Sequence, residues 1–223
     1  MCFSPEADVV GGLVVGGFGI DAVRHVHRRH GALALACLPL VLGGHQLVEA
    51  FVWWSLEGDL PHAVGRVATW CYLLIAFVLL PVFVPLAVAS LEHGRWRRRV
   101  MAGCAGLGAV VAMTLLAAMV RGPVTVRLRP YHLAYGLRLQ DGFAVVVAYV
   151  IAVCGALLAS SERHVVVFGI VNAVAIGVIA WLTVDGFASV WCGWAAITSG
   201  AIAAHLRFSR PHRHPPHAPH ALT

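Results

Sequence analysis

Apolar residues in this chain gather into seven long runs, at about 7–23, 32–56, 64–91, 100–120, 142–160, 164–183 and 187–207. Each approaches the roughly 20 residues a helix needs to cross the hydrocarbon of a bilayer. Polar stretches separate them. The pattern predicts an all-α polytopic membrane protein, a seven-transmembrane-helix bundle over residues 1–207. Residues 208–223 form a Pro/His-rich tail expected to be disordered. The first run carries Gly11, Gly12, Gly16, Gly17 and Gly19, a small-residue face suited to close helix packing. The third contains Pro81 and Pro85, which predict a kink. The longest connection, Arg121 to Asp141, reads as a lid or a re-entrant segment.

Polar residues inside an apolar run carry more information than those between runs. The second run holds the stretch His45-Gln46-Leu47-Val48-Glu49-Ala50-Phe51-Val52-Trp53. His45 lies four residues before Glu49 and Trp53 four after, so all three share one helical face, with Gln46 at its edge. An ionisable group in a spanning helix costs about 2.5–3.5 kcal/mol on insertion scales, so Glu49 is expected to face the protein interior or a cavity.

Composition agrees with the membrane reading. The chain has 223 residues, of which 60% are hydrophobic and 12% charged, with a net charge of +6. Soluble domains are nearer a quarter charged. All 16 basic residues are Arg, which excludes lysine Schiff-base chemistry. The positive charge sits in interhelical loops and the tail, a topology signal and not a nucleic-acid footprint. Eleven of the arginines fall in the first, third and fifth connections, at the end of the last run (Arg207) and in the tail. The positive-inside rule therefore predicts an outer N-terminus and a cytoplasmic C-terminus in a bacterial plasma membrane. Arg121, Arg127, Arg129 and Arg138 weigh the other way. The six Cys form no close pair, so no disulfide framework or zinc ribbon is expected. The acidic start, without a basic leader segment, argues against a cleavable signal peptide.

That topology collects the unusual residues at one level of the bundle. Glu6 and Asp8 open the first span, and His45, Glu49, Trp53 and Trp54 lie in the outer half of the second. Trp70 and Tyr72 come from the third, Tyr131 and His132 from the long connection, and Asp185, Trp191 and Trp194 from the last turn and span. Trp53, Trp70 and Trp191 are expected to wall one cavity with Glu49, with Tyr72 and Tyr131 at its rim. Each has a plainer reading too. Aromatics near helix ends form interfacial belts, Glu6 and Asp8 favour a helix start, and Asp185 before Gly186 is a turn residue.

A carboxyl in an apolar pocket keeps its proton because the ionised form is poorly solvated there. A second carboxyl such as Asp185 would retain and direct that proton. Aromatic faces stabilise a cation by about 0.5–2 kcal/mol each. Acid, apolar mould and aromatic walls together suit carbocation chemistry on an isoprenoid olefin.

On these residues, Val48-Glu49-Ala50-Phe51-Val52-Trp53-Trp54 and Thr183-Val184-Asp185-Gly186, the chain resembles the small integral-membrane terpene cyclases of meroterpenoid and indole-terpenoid pathways, particularly the bacterial drimentine-type cyclases. The resemblance implies catalytic acids at Glu49 and Asp185 and no metal or other cofactor. It implies a prenylated substrate, a farnesylated indole, entering from lipid. The substrate would be bound by His45, Gln46, Trp53, Trp70, Tyr72, Tyr131, His132, Trp191 and Trp194. The Met1-Cys2-Phe3-Ser4 start is similar to that of an uncharacterised group of actinobacterial membrane proteins. Two other classes stay open. A metal-dependent membrane hydrolase would recruit His45, His132 and Asp185 around zinc. A non-enzymatic transporter or sensor would use the His-rich tail.

Overall fold

The computed structural model describes residues 4–26, 30–129, 132–182 and Trp194. Helix α1 spans Pro5–Val26, α2 His30–Glu57, α3 His62–Leu73, α4 Leu80–Ala89 and α5 Arg95–Arg121. A hairpin of β1, Thr125–Arg129, and β2, His132–Gly136, follows, and then α6, Gly142–Leu158, and α7, Arg163–Leu182. A π-helical turn, Leu74–Leu79, joins α3 to α4 into one rod. Among the described residues four rods are long and apolar enough to cross a membrane, namely α1, α2, α3–α4 and α5; α6 and α7 are shorter apolar helices. Apart from Trp194, the seventh expected span, 187–207, and the tail lie outside the described residues.

Large apolar side chains point outward from every rod. Leu13, Val67, Val110, Met113 and Val120 are each more than 60% exposed. Water would penalise such a surface, whereas hydrocarbon accepts it. This is a membrane protein.

Alternate connections fall at opposite ends of the bundle. At the arginine-rich end, Glu92 in the α4–α5 turn reaches the α6–α7 turn. Its Oε1 accepts from Ser160 Oγ at 2.8 Å and from the Ser161 amide at 2.7 Å, and its Oε2 accepts from Ser161 Oγ at 2.8 Å. Burial alone would push the Glu92 carboxyl up. The serine donors and Arg97 outweigh it and hold the group below its ordinary value. The largest apolar core also lies toward this end, where Leu80, Val84 and Val88 of α4 meet Met101, Val153, Leu157 and Val165.

The expected kink has a definite construction. Leu80 donates its amide to the Ile75 carbonyl in π register. The same register would pair the Ala76 carbonyl with the nitrogen of Pro81, which has no hydrogen. Tyr149 of α6 supplies the missing donor, its hydroxyl 2.8 Å from the Ala76 carbonyl. One turn on, Pro85 likewise has no hydrogen for the Pro81 carbonyl. Gly108 of α5 packs directly against that oxygen, where any Cβ would collide with it.

At the other end stands the hairpin, in antiparallel register with Val126 opposite Tyr135 and Leu128 opposite Leu133. The stretch expected to be a lid or re-entrant segment is thus a two-stranded β element in an otherwise helical protein. Its period-two pattern explains the choice. Thr125, Arg127 and Arg129 alternate with Val126 and Leu128, a strand signal too short for a helix. Leu133 and Tyr135 pack against α2 and α3, and Leu133 is completely buried.

Candidate proton-handling site

Helix α2 turns its polar stripe inward. Glu49 has no exposed surface, and His45, Gln46 and Trp53 are 2%, 4% and 4% exposed. What lets this stripe be buried is the close approach of α1. A Cβ on Gly12 would lie 2.9 Å from the Gly43 carbonyl, and one on Gly11 would lie 2.8 Å from Gln46 Oε1. The two helices run antiparallel, so one turn beyond Gly11 toward the N-terminus matches one turn beyond Gln46 toward the C-terminus. That register sets Asp8, only 1% exposed, level with Glu49.

Three rings stack beside the acid. The His45 ring lies 3.9 Å from that of Tyr72 at 21°, and the Tyr72 ring 4.5 Å from that of Tyr135 at 12°. His45 Nε2 is 3.2 Å from the Tyr72 backbone carbonyl. A carbonyl only accepts, so Nε2 carries the hydrogen, which fixes the tautomer. The far end of the stack returns to α2, where the Tyr135 hydroxyl donates to Glu49 Oε1 across a long 3.5 Å. Acid, phenol, phenol and imidazole thus form one buried assembly from α2, α3 and β2.

The other expected site residues are placed as follows. Trp53 packs on Val52, Ala68 and Leu133 at the foot of the hairpin. Its indole nitrogen is buried with no hydrogen-bond partner among the described residues, as is Nε2 of His132. Tyr72, expected at a cavity rim, is instead completely buried, because the hairpin covers it. Trp70 is 36% exposed and lies away from the stack. It lines a cleft of about 340 Å³ whose walls come from α2, α3, the end of α5 and the start of the hairpin. Trp194 is partly buried. Tyr131, Asp185 and Trp191 lie outside the described residues. Among the described residues no group of three His, Cys, Asp or Glu side chains is gathered closely enough to hold a metal ion.

The sequence gathered Asp8 at the level of Glu49 but also offered it as a helix-start residue, and its register against Glu49 marks it as interior. Tyr135 escaped as a site residue. Tyr135 sits two residues beyond Leu133 and four beyond Tyr131, so the strand period was the available signal.

The fold and site define a polytopic membrane protein with a buried carboxyl backed by stacked aromatic rings. Over residues 1–218 the chain matches the Family of unknown function (DUF6629), and it belongs to that family. No match was found among curated proteins or among solved structures.

Proposed function

We propose that the protein is a membrane-bound terpene cyclase in which Glu49 donates a proton to the terminal olefin of a prenylated substrate. The observation that supports this most is the complete burial of Glu49 beside the Tyr72–Tyr135 stack. A carboxyl removed from water favours its neutral form, which is the form a general acid needs. The Tyr135 hydroxyl orients one carboxyl oxygen. Asp8, at the same level, takes the part of second carboxyl, and Asp185 remains a further candidate for it. Protonating the olefin makes a tertiary cation, ring closure passes the charge along, and loss of a proton from carbon ends the sequence. The substrate is thereby isomerised with no other reagent consumed.

The floor of the cleft lies one helical turn from the site on both sides, at Val52 from Glu49 and at Thr69 from Tyr72. We assign the prenyl chain to it, and proton delivery requires the packing between the cleft and the fully buried Glu49 to open. We infer from the distribution of arginines that this end of the bundle faces away from the cytoplasm. The test is product formation from a farnesylated indole by membranes carrying the protein, with chelator present. Glu49→Gln keeps the shape and most hydrogen bonding but removes the acidic proton. It is expected to lower turnover by at least about a hundredfold. Full activity of that variant would remove the mechanism, and activity lost to the chelator would favour the metal hydrolase.

The closed packing supports a second, non-enzymatic reading. Glu49 and Tyr72 are sealed from the cleft, as in a transporter caught between two open states. Proton uptake coupled to solute movement in vesicles, without chemical change in the solute, would favour it.

A further inference from the structure

The cleft beside Trp70 has a polarity of its own. One wall is a single face of α3, where His62, Gly65, Arg66, Thr69 and Trp70 recur at the three- and four-residue spacing of one helical stripe. The stripe runs from two basic side chains at the membrane surface down to an indole. Facing it are Val52 and Leu56 of α2, Met119 of α5 and the hairpin residues Val124 and Val126. Among the described residues no carboxylate lines the cleft. The start of α3 adds to the charge at the mouth. No side chain caps its first amides, and the positive end of the helix points there.

We infer that this cleft binds a single-chain amphiphile with an anionic headgroup, the head on Arg66 and His62 and the chain against Val52, Met119 and Val126. A volume of about 340 Å³ suits one chain and leaves no room for a second. Arg66 presents a planar donor fork that matches a phosphate or a carboxylate. Placing the substrate in this cleft rests on the acid mechanism above, but the binding does not. The headgroup departs from the neutral prenylated indole that the family resemblance implies.

The test is competition binding to the purified full-length protein in an uncharged maltoside detergent, with dansylated undecanoate as the fluorescent probe. Dodecyl phosphate and dodecanoate are expected to displace it, and the tighter of the two identifies the headgroup as phosphate or carboxylate. Dodecanol should compete about tenfold less well, and dodecyltrimethylammonium should not compete. Arg66→Gln should weaken both anions about tenfold and leave dodecanol unchanged. Arg121→Gln, outside the cleft, should change nothing. Val126→Trp should fill the cleft and exclude every competitor. Equal competition by dodecanol and the anions, or anion binding indifferent to Arg66, would overturn the proposal. Glu49→Gln should bind the probe like wild type, so binding and proton donation fail separately. Normal binding with full turnover in that variant removes only the acid mechanism. Absent binding in the wild type removes only the amphiphile site.

Discussion

Single residues divide sharply between the two ends of this bundle. At the hairpin end, Tyr135 is the link between the ring stack and Glu49. Tyr135→Phe keeps the stacking and removes one neutral hydrogen bond. It should lower turnover several-fold while leaving thermal stability within about 1 kcal/mol of wild type, read from turnover and melting in detergent. At the arginine-rich end, Glu92 is a structural anion. Its folded value lies below the ordinary 4.5, so it contributes stability above that pH. The contribution disappears as pH falls through the lower folded value. Melting temperatures measured from neutrality down to strongly acid pH should show this loss in the wild type. Glu92→Gln should start about 1–3 kcal/mol less stable and lack that acid-side component. Glu49 was legible because a carboxyl interrupts an apolar run, and His45 and Trp53 because they share its helical face. Asp8 was legible only as one of the residues at that level, since a carboxylate in a first helical turn also has a sufficient local explanation. Only the approach of α2 against Gly11 and Gly12 shows it to be interior.

Among the elements, the broken rod from α3 to α4 shows how a kink is paid for by its neighbours. Pro81 and Pro85 announce it in the sequence. The compensating partners, Tyr149 and Gly108, belong to other helices and carry no local mark of that role. Gly108→Leu should force α5 off the Pro81 carbonyl and destabilise the bundle severely, by about 2–4 kcal/mol. Tyr149→Phe should cost about 1 kcal/mol by leaving the Ala76 carbonyl without its donor. Comparing the two melting temperatures in one detergent checks the ranking; equal effects would contradict the packing described. The hairpin was the element least legible in advance. Its alternation is five residues long on each strand, and the stretch lies between two spans where a plain loop is the default expectation. Once it is seen as a strand, Leu133 and Tyr135 fall on the inner face without further assumption.

For the molecule as a whole, the apolar runs foretold the six described apolar rods to within a few residues at most ends, and four of these are long and apolar enough to cross a membrane. The ends differ where capping and loop geometry decide. How the spans touch was less legible, since lipid-facing and core-facing positions are both apolar and leave no contrast to read. Reporter fusions at residues 60 and 93 should report opposite sides of the membrane, as the Glu92 link and the placement of the hairpin require. The central claim is that Glu49 delivers a proton to carbon. The most direct measurement is conversion of a farnesylated indole and its carboxylate counterpart in deuterated water, with the product analysed by mass. The account predicts a cyclised product carrying a single deuterium at the protonated carbon, and at least about a hundredfold less of it from Glu49→Gln. An undeuterated cyclic product, or full conversion by Glu49→Gln, would contradict it.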